Sequence, residues 1–160
     1  MNQGKRHRIL VIDDESFVRD LLTDFFEKLN FEVVTAADGT AGLTAFGDGP
    51  FSVVLVDLKM PGKSGIETLS DIRQQDTVTP VIIMTGYPTI DTSIEALRLG
   101  AYDYIIKPFK LQDLREVVDR AIKEQALHSE IDTLRERISE IEHRLRSHRA
   151  QTQARTTEPI

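Results

Sequence analysis

The 160-residue sequence contains no cysteine. Disulfides, thiol catalysis and cysteine-ligated metals are excluded, and a reducing compartment fits. No apolar run approaches the ~18 residues of a membrane-spanning helix, and Met1 to Arg8 is too polar for a secretory signal, so a cytoplasmic protein is expected. No G-x-x-x-x-G-K loop is present to cradle nucleotide phosphates, and no G-x-G-x-x-G follows the first apolar run. Positive charge is scarce as well. The net charge is −6; residues 1–127 hold 14 Lys and Arg against 20 Asp and Glu, and residues 128–160 hold six of each. The acidity thus belongs to the main body, which argues against nucleic-acid binding there.

What is present is an alternation. Five short runs rich in Val and Ile, at 8–13, 32–36, 52–57, 80–86 and 102–107, read as buried parallel strands. Helical patterns lie between them. In the first, Phe17, Val18, Leu21, Leu22, Phe25, Phe26 and Leu29 repeat at helical spacing and predict one wide buried face. The second, near Gly39 to Phe46, is weak and glycine-rich. The third spans about Gly65 to Gln75, the fourth about Ile90 to Leu99 with Gly100 as its C-cap, and the fifth begins near Leu111. Such repetition predicts an α/β fold, a doubly wound five-stranded parallel sheet with helices on both faces, for which the common order is 2-1-3-4-5.

Open parallel sheets bind ligands at the carboxyl ends of their strands. In this sequence those ends carry Asp13 and Asp14, then Asp57, Thr85 and Lys107. A lone Asp at such a place is usually a cap or turn former. Five chemical groups in register are harder to assign that way. Three carboxylates at close range repel, which calls for a proton or a cation among them. Oxygen-only ligands suit Mg²⁺. A phosphoryl group brought there would find Lys107 and Thr85, and with no His or Ser base nearby the natural nucleophile is a carboxylate.

These residues resemble the response-regulator receiver domain of two-component signalling. The likeness runs from about Arg8 to Gln125 and is carried by "VIDDE" (11–15), "LVDLKMPGKSG" (55–65), "MTGY" (84–87) and "YDYIIKPF" (102–109). It implies a flavodoxin-like fold and a set of roles. Asp57 accepts a phosphoryl group from the phosphohistidine of a sensor kinase or phosphotransfer protein. Asp14, Asp57 and the backbone carbonyl of Lys59 ligate Mg²⁺, with Asp13 acting through a bound water. Lys107 pairs with phosphoryl oxygens, the Thr85 hydroxyl moves onto them, and Tyr104 is the aromatic switch. Lys107-Pro108 matches a peptide that is cis in the family. Lys59 and Tyr87, two residues past the acceptor and the threonine, are expected to tune the lifetime of the phosphorylated state; the plain alternative for Tyr87 is a solvent-facing loop residue.

Residues 86–109 are especially similar to receivers that precede ATPase-type transcription activators. The chain is therefore read either as a stand-alone regulator or as a receiver fragment of a larger one. Two rivals have less support. A phosphatase with an aspartyl nucleophile would carry a second Asp where Lys59 stands, and a phosphorylation-independent dimeric scaffold would not need the five-residue set.

The predicted organisation is a receiver domain over 6–125, a coiled-coil helix continuing the fifth helix over 126–149, and a disordered tail over 150–160. Leu127, Ile131, Leu134, Ile138, Ile141 and Leu145 form a heptad seam. With Ile131 at position a, Leu127 and Leu134 fall at d, a pattern that favours a parallel pair, although the third heptad inverts it. Glu130 would face Arg135 of a parallel partner and Arg137 would face Glu142, both attractive. Arg144 would face Arg149, which repels. A single amphipathic helix folding back on the receiver, or one that awaits a further domain, is the alternative. The basic stretch at 143–149 reads as a solvated face, because Glu140 and Glu142 interrupt it.

Overall fold

The computed structural model describes residues 4–157. Five parallel strands, β1 (Arg8–Ile12), β2 (Glu32–Ala36), β3 (Val53–Asp57), β4 (Val81–Thr85) and β5 (Asp103–Ile106), form one sheet in the order β2-β1-β3-β4-β5. Helices α1 (Ser16–Lys28), α2 (Gly39–Gly47), α3 (Gly65–Gln75), α4 (Ile90–Arg98) and α5 (Leu111–Thr156) connect and follow them. This is the doubly wound, flavodoxin-like arrangement that the alternation predicts. All strands but β2 are one or two residues shorter than the expected runs, with flanking residues such as Ser52 and Lys107 still hydrogen-bonded to the neighbouring strand.

Strand periodicity sorts the core into two layers. Leu10, Ile12, Val54, Val56, Val81 and Ile83 face one side with Leu69 and Ile72 of α3 and Ala96 of α4. Ile9, Val11, Val53, Leu55, Ile82 and Met84 face the other with Leu22 and Phe26 of α1 and Leu114 and Val118 of α5. Burial on both faces leaves β1, β3 and β4 almost no freedom. The helix ends follow local chemistry. Asp38, Ser64 and Thr89 cap α2, α3 and α4 through side-chain oxygens. Gly100, at φ +93°, follows α4 in the left-handed conformation.

Two expectations are corrected. The seven-residue apolar face of α1 is not wholly buried: Phe17 is 74% exposed and Leu21 is also exposed. Phe17 sits in the first turn, at the carboxyl edge of the sheet, where no strand remains to cover it. The expected disordered tail is helical through Thr156. Ala150, Gln151, Gln153, Ala154 and Arg155 are good helix formers, and the lack of apolar periodicity there bears on packing rather than on helix formation. Residues 158–160 of that tail lie outside the described residues.

The chain divides into two units, Met1–Lys123 and Glu124–Ile160. In the first, α5 buries Leu114, Val118 and Ala121. In the second, every residue from Ala126 to Thr157 is exposed. Among the described residues no helix is long and apolar enough to cross a membrane.

Candidate functional site

Backbone hydrogen bonds at the sheet's carboxyl edge fix where the side chains emerge. Asp13 N–H donates to Ala36 at 3.1 Å, Leu58 N–H to Met84 at 2.8 Å, and Lys107 N–H to Thr85 at 2.7 Å. The start of α3 closes tightly beneath the β3 end. A Cβ on Gly65 would lie 2.3 Å from the Asp57 carbonyl oxygen, so only glycine fits.

Asp13, Asp14, Glu15 and Asp57 each place a carboxylate oxygen within 4.8 Å of the others. Asp13 is fully buried and Asp57 is 5% exposed. Lys107 Nζ lies 2.7 Å from Asp13, 3.4 Å from Asp57 and 3.7 Å from Glu15. Asp13 is itself held from two sides: its side chain accepts Glu15 N–H at 2.9 Å, and its carbonyl accepts Arg19 at 2.8 Å. Oxygen-only donors crowded this closely match the preference of a hard divalent cation.

These surroundings act on Asp57. Burial first, then the neighbouring Asp13 charge, push the Asp57 carboxyl up to about 7 from its ordinary 3.8, against the pull of Lys107. For Lys107 burial alone would lower the pKa, but the Asp13 hydrogen bond and the charges of Asp13, Asp57 and Glu15 prevail and raise it. The lysine therefore stays an ammonium, while metal-free Asp57 is poised near neutrality.

The remaining residues singled out from sequence lie around this cluster. Thr85 is buried, and its hydroxyl accepts Tyr87 N–H at 3.0 Å. The Lys59 ammonium stands 4.4 Å from the centre of the Tyr87 ring. Tyr104, half-buried on β5, shares a 3.0 Å hydrogen bond with the Thr92 hydroxyl of α4. The Lys107–Pro108 peptide is cis. The six seam residues lie in the second unit, each 44–59% exposed. Sequence reasoning gave no role to Glu15, Arg19, Phe17 or Leu21. Glu15 stood in view as the third acid of "VIDDE". Phe17 and Leu21, read as core, instead line a groove of about 520 Å³ with Val18, Tyr87, Pro108 and Phe109, and Glu15 and Lys107 lie at its edge.

The sequence matches the response regulator receiver domain family over residues 9–119, and the chain belongs to that family. It is similar to the regulatory protein AtoC of Escherichia coli (strain K12), 44% identical over 133 residues that cover 83% of this chain and 29% of AtoC. Among solved structures it resembles a response regulator receiver domain protein from Clostridium thermocellum, with 37% identity, a TM-score of 0.72, and coverage of 76% of this chain and 98% of that one. It also resembles the response regulator TrrA from Thermotoga maritima in complex with Mg²⁺-BeF, with 32% identity, a TM-score of 0.66, and coverage of 72% and 98%. The chain spans between 26% and 57% of the length of the curated relatives it matches.

The raised pKa of Asp57 makes stability depend on pH. Below about pH 4 the carboxyl is neutral in both folded and unfolded chains. Between 3.8 and about 7 the unfolded chain loses a proton that the folded chain keeps, so this contribution to stability falls as pH rises and is fully lost above 7. Asp57→Asn removes the cost. In metal-free buffer its thermal midpoint is expected to lie above that of the wild type at pH 8, reflecting a stability difference of up to a few kcal/mol on the order set by such a shift, with the gap closing toward pH 3. Parallel midpoints at both pH values would show the cluster to be unstrained.

Proposed function

We propose that this chain is a phosphorylation-operated switch whose acceptor is Asp57. The observation that carries the reading is the placement of one buried carboxylate against Asp13, Asp14 and the Lys107 ammonium at the rim of a rigid sheet. Phosphoryl transfer forms a bond from an Asp57 oxygen to phosphorus as the P–N bond to the donor imidazole breaks. The products are an aspartyl phosphate and a free histidine on the donor. The chain catalyses only its own phosphorylation and dephosphorylation.

Asp14, Asp57 and the Lys59 carbonyl would hold Mg²⁺, with Asp13 acting through water. The ion supplies positive charge that favours the ionised, nucleophilic form of Asp57 and offsets charge on the incoming phosphoryl oxygens. Lys107, held by Asp13 at 2.7 Å, keeps its ammonium directed at the same place. Thr85 then exchanges its contact with Tyr87 for a phosphoryl oxygen, and Tyr104 turns inward to follow it. The exposed apolar side chains Ile90, Ile94 and Leu97 of α4 and Ile106 of β5 are the surface that this change presents differently. The groove lined by Phe17, Leu21, Pro108 and Phe109 adjoins Lys107 and suits an apolar helix of the histidine-bearing donor, a sensor kinase or phosphotransfer protein. A cytoplasmic setting agrees with the lack of cysteine and with a phosphodonor of this kind.

The second unit we read as a parallel homodimer through the seam from Leu127 to Leu145. Six apolar residues at heptad spacing, all exposed in the single chain, need a partner to cover them. The Glu130–Arg135 and Arg137–Glu142 pairs add ~0.2–1 kcal/mol each.

Three outcomes are expected. Acetyl phosphate with Mg²⁺ adds one phosphoryl group by intact mass to the wild type and none to Asp57→Asn; an unmodified wild type sinks the acceptor reading. Tyr87→Ala loses its phosphate several-fold faster than the wild type, as timed by the same mass measurement, if the ring and the Lys59 above it hinder attacking water; an equal rate returns Tyr87 to an ordinary loop residue. Light scattering gives the wild type twice the chain mass, and Ile141→Cys, the sole cysteine, oxidises to a covalent dimer, since equivalent d positions meet only in a parallel pair. A monomeric wild type would refute the seam.

A further inference from the structure

Helix α4 is held to the first unit by little apolar packing. Of its nine residues only Ala96 is fully buried, and Ile90 is 78% exposed. Its two ends are held by polar contacts of different kinds. At the C-terminal end, Arg73 Nε and Nη2 donate to the Gly100 carbonyl at 3.1 and 2.8 Å. The same guanidinium donates through Nη1 to the carbonyls of Asp76, at 3.2 Å, and Thr79, at 2.8 Å. Ala101 N–H closes onto the Ala96 carbonyl at 2.9 Å. This end is tied to the backbone of two neighbouring segments.

At the N-terminal end the ties are hydroxyls. The Thr89 Oγ1 accepts Thr92 N–H at 3.1 Å and lies 2.7 Å from the Thr92 hydroxyl, which in turn lies 3.0 Å from the Tyr104 hydroxyl. A three-hydroxyl chain thus runs from the cap of α4 to the ring on β5. Rotation of that ring breaks the last link, because the Thr92 side chain is fixed by the helix and by Thr89.

We propose that Thr92 is a positioning residue of the switch: its hydroxyl holds Tyr104 in the unmodified arrangement, and loss of that bond loosens the first turn of α4 while the Arg73 end stays fixed. This rests on the phosphoryl-acceptor reading and adds to it the group that opposes the switch. A bond present in only one of two arrangements shifts the equilibrium between them by its own net strength. One hydrogen bond corresponds to about a two- to tenfold change in that equilibrium. A ligand selecting the other arrangement is bound more weakly by the same factor while the bond exists.

The test is a calorimetric titration of the full chain with beryllofluoride and Mg²⁺, a stand-in for the phosphoryl group, on the wild type, Thr92→Val, Thr92→Ser, Tyr104→Phe and the Thr92→Val/Tyr104→Phe pair. Thr92→Val should bind about two- to tenfold more tightly. Thr92→Ser, which keeps the hydroxyl, should match the wild type. Thr92→Val should add nothing in the Tyr104→Phe background, since the link is already cut there. Without beryllofluoride, amide exchange in Thr92→Val should quicken at Thr92 and Ser93 and stay unchanged at Gly100 and Ala101. A merely structural Thr92 would lower stability without tightening binding. Equal or weaker binding by Thr92→Val, or a gain that adds to that of Tyr104→Phe, would overturn the proposal. Silence in the wild type as well would overturn the acceptor reading, and this inference with it.

Discussion

One ammonium group organises the carboxyl edge of this sheet. Lys107 stands within hydrogen-bond or ion-pair reach of Asp13, Asp57 and Glu15 at once, and among the described residues it is the only cation paired with their carboxylates. Four acids crowded within 4.8 Å would otherwise repel one another in a half-buried place. The lysine offsets part of that repulsion, yet burial first and the Asp13 charge second still hold the Asp57 carboxyl well above its ordinary range. In the proposed reading, a site balanced this way gains from further positive charge and takes a phosphoryl group when that charge is present. Metal binding, acidity and phosphoryl acceptance are thus aspects of a single electrostatic deficit.

The deficit is kept in place by the least deformable part of the molecule. β1, β3 and β4 are packed on both faces, and every residue of β3 and β4 is buried. Crowded acids could relieve their repulsion by moving apart, but Asp57 is carried on a fully buried strand and Asp13 is buried directly after β1. Gly65 tightens the same region, because the start of α3 lies against the Asp57 carbonyl at a distance no side chain would allow. Rigidity at the acceptor contrasts with α4, which keeps one fully buried residue and hangs on hydroxyls at one end. The contrast suits a switch: charge changes where nothing can move, and motion occurs where little holds.

Much of this was legible in the sequence, for identifiable reasons. Strand–helix alternation with short connections leaves few topologies, so sheet order followed from pattern and from the family likeness together. Asp13, Asp14, Asp57 and Lys107 were legible because strand ends at one edge of a parallel sheet must converge. Gly100 was legible because a glycine after an amphipathic run is a helix stop, and it takes a positive φ. What escaped depends on distances between elements that periodicity does not encode. Phe17 and Leu21 have core-like spacing yet lie where the sheet ends. Arg19 matters through its bond to the Asp13 backbone, which no side-chain pattern reveals. Thr92 is an ordinary polar residue on a helix until Tyr104 is seen beside it. The helix beyond Arg149 was misjudged because apolar spacing was taken as a condition for helix, when Ala, Gln and Arg propensity alone supports one.

The weak attachment of α4 also bears on how small a signal the switch needs. Helices anchored by several buried side chains resist displacement by many kcal/mol, since each buried aliphatic group contributes roughly 1.5–3 kcal/mol. With Ala96 as the one fully buried residue, the apolar term for α4 falls below that scale, and a single hydroxyl bond of ~0.5–1.5 kcal/mol becomes a sizeable share of what holds its first turn. Cutting a bond of that size would be unnoticeable in α1, where Leu22 and Phe26 are fully buried. In α4 such a bond is a large part of what holds the N-terminal end. A short polar chain from Thr89 through Thr92 to Tyr104 therefore links the N-terminal end of α4 to β5, on the same helix that exposes Ile90, Ile94 and Leu97.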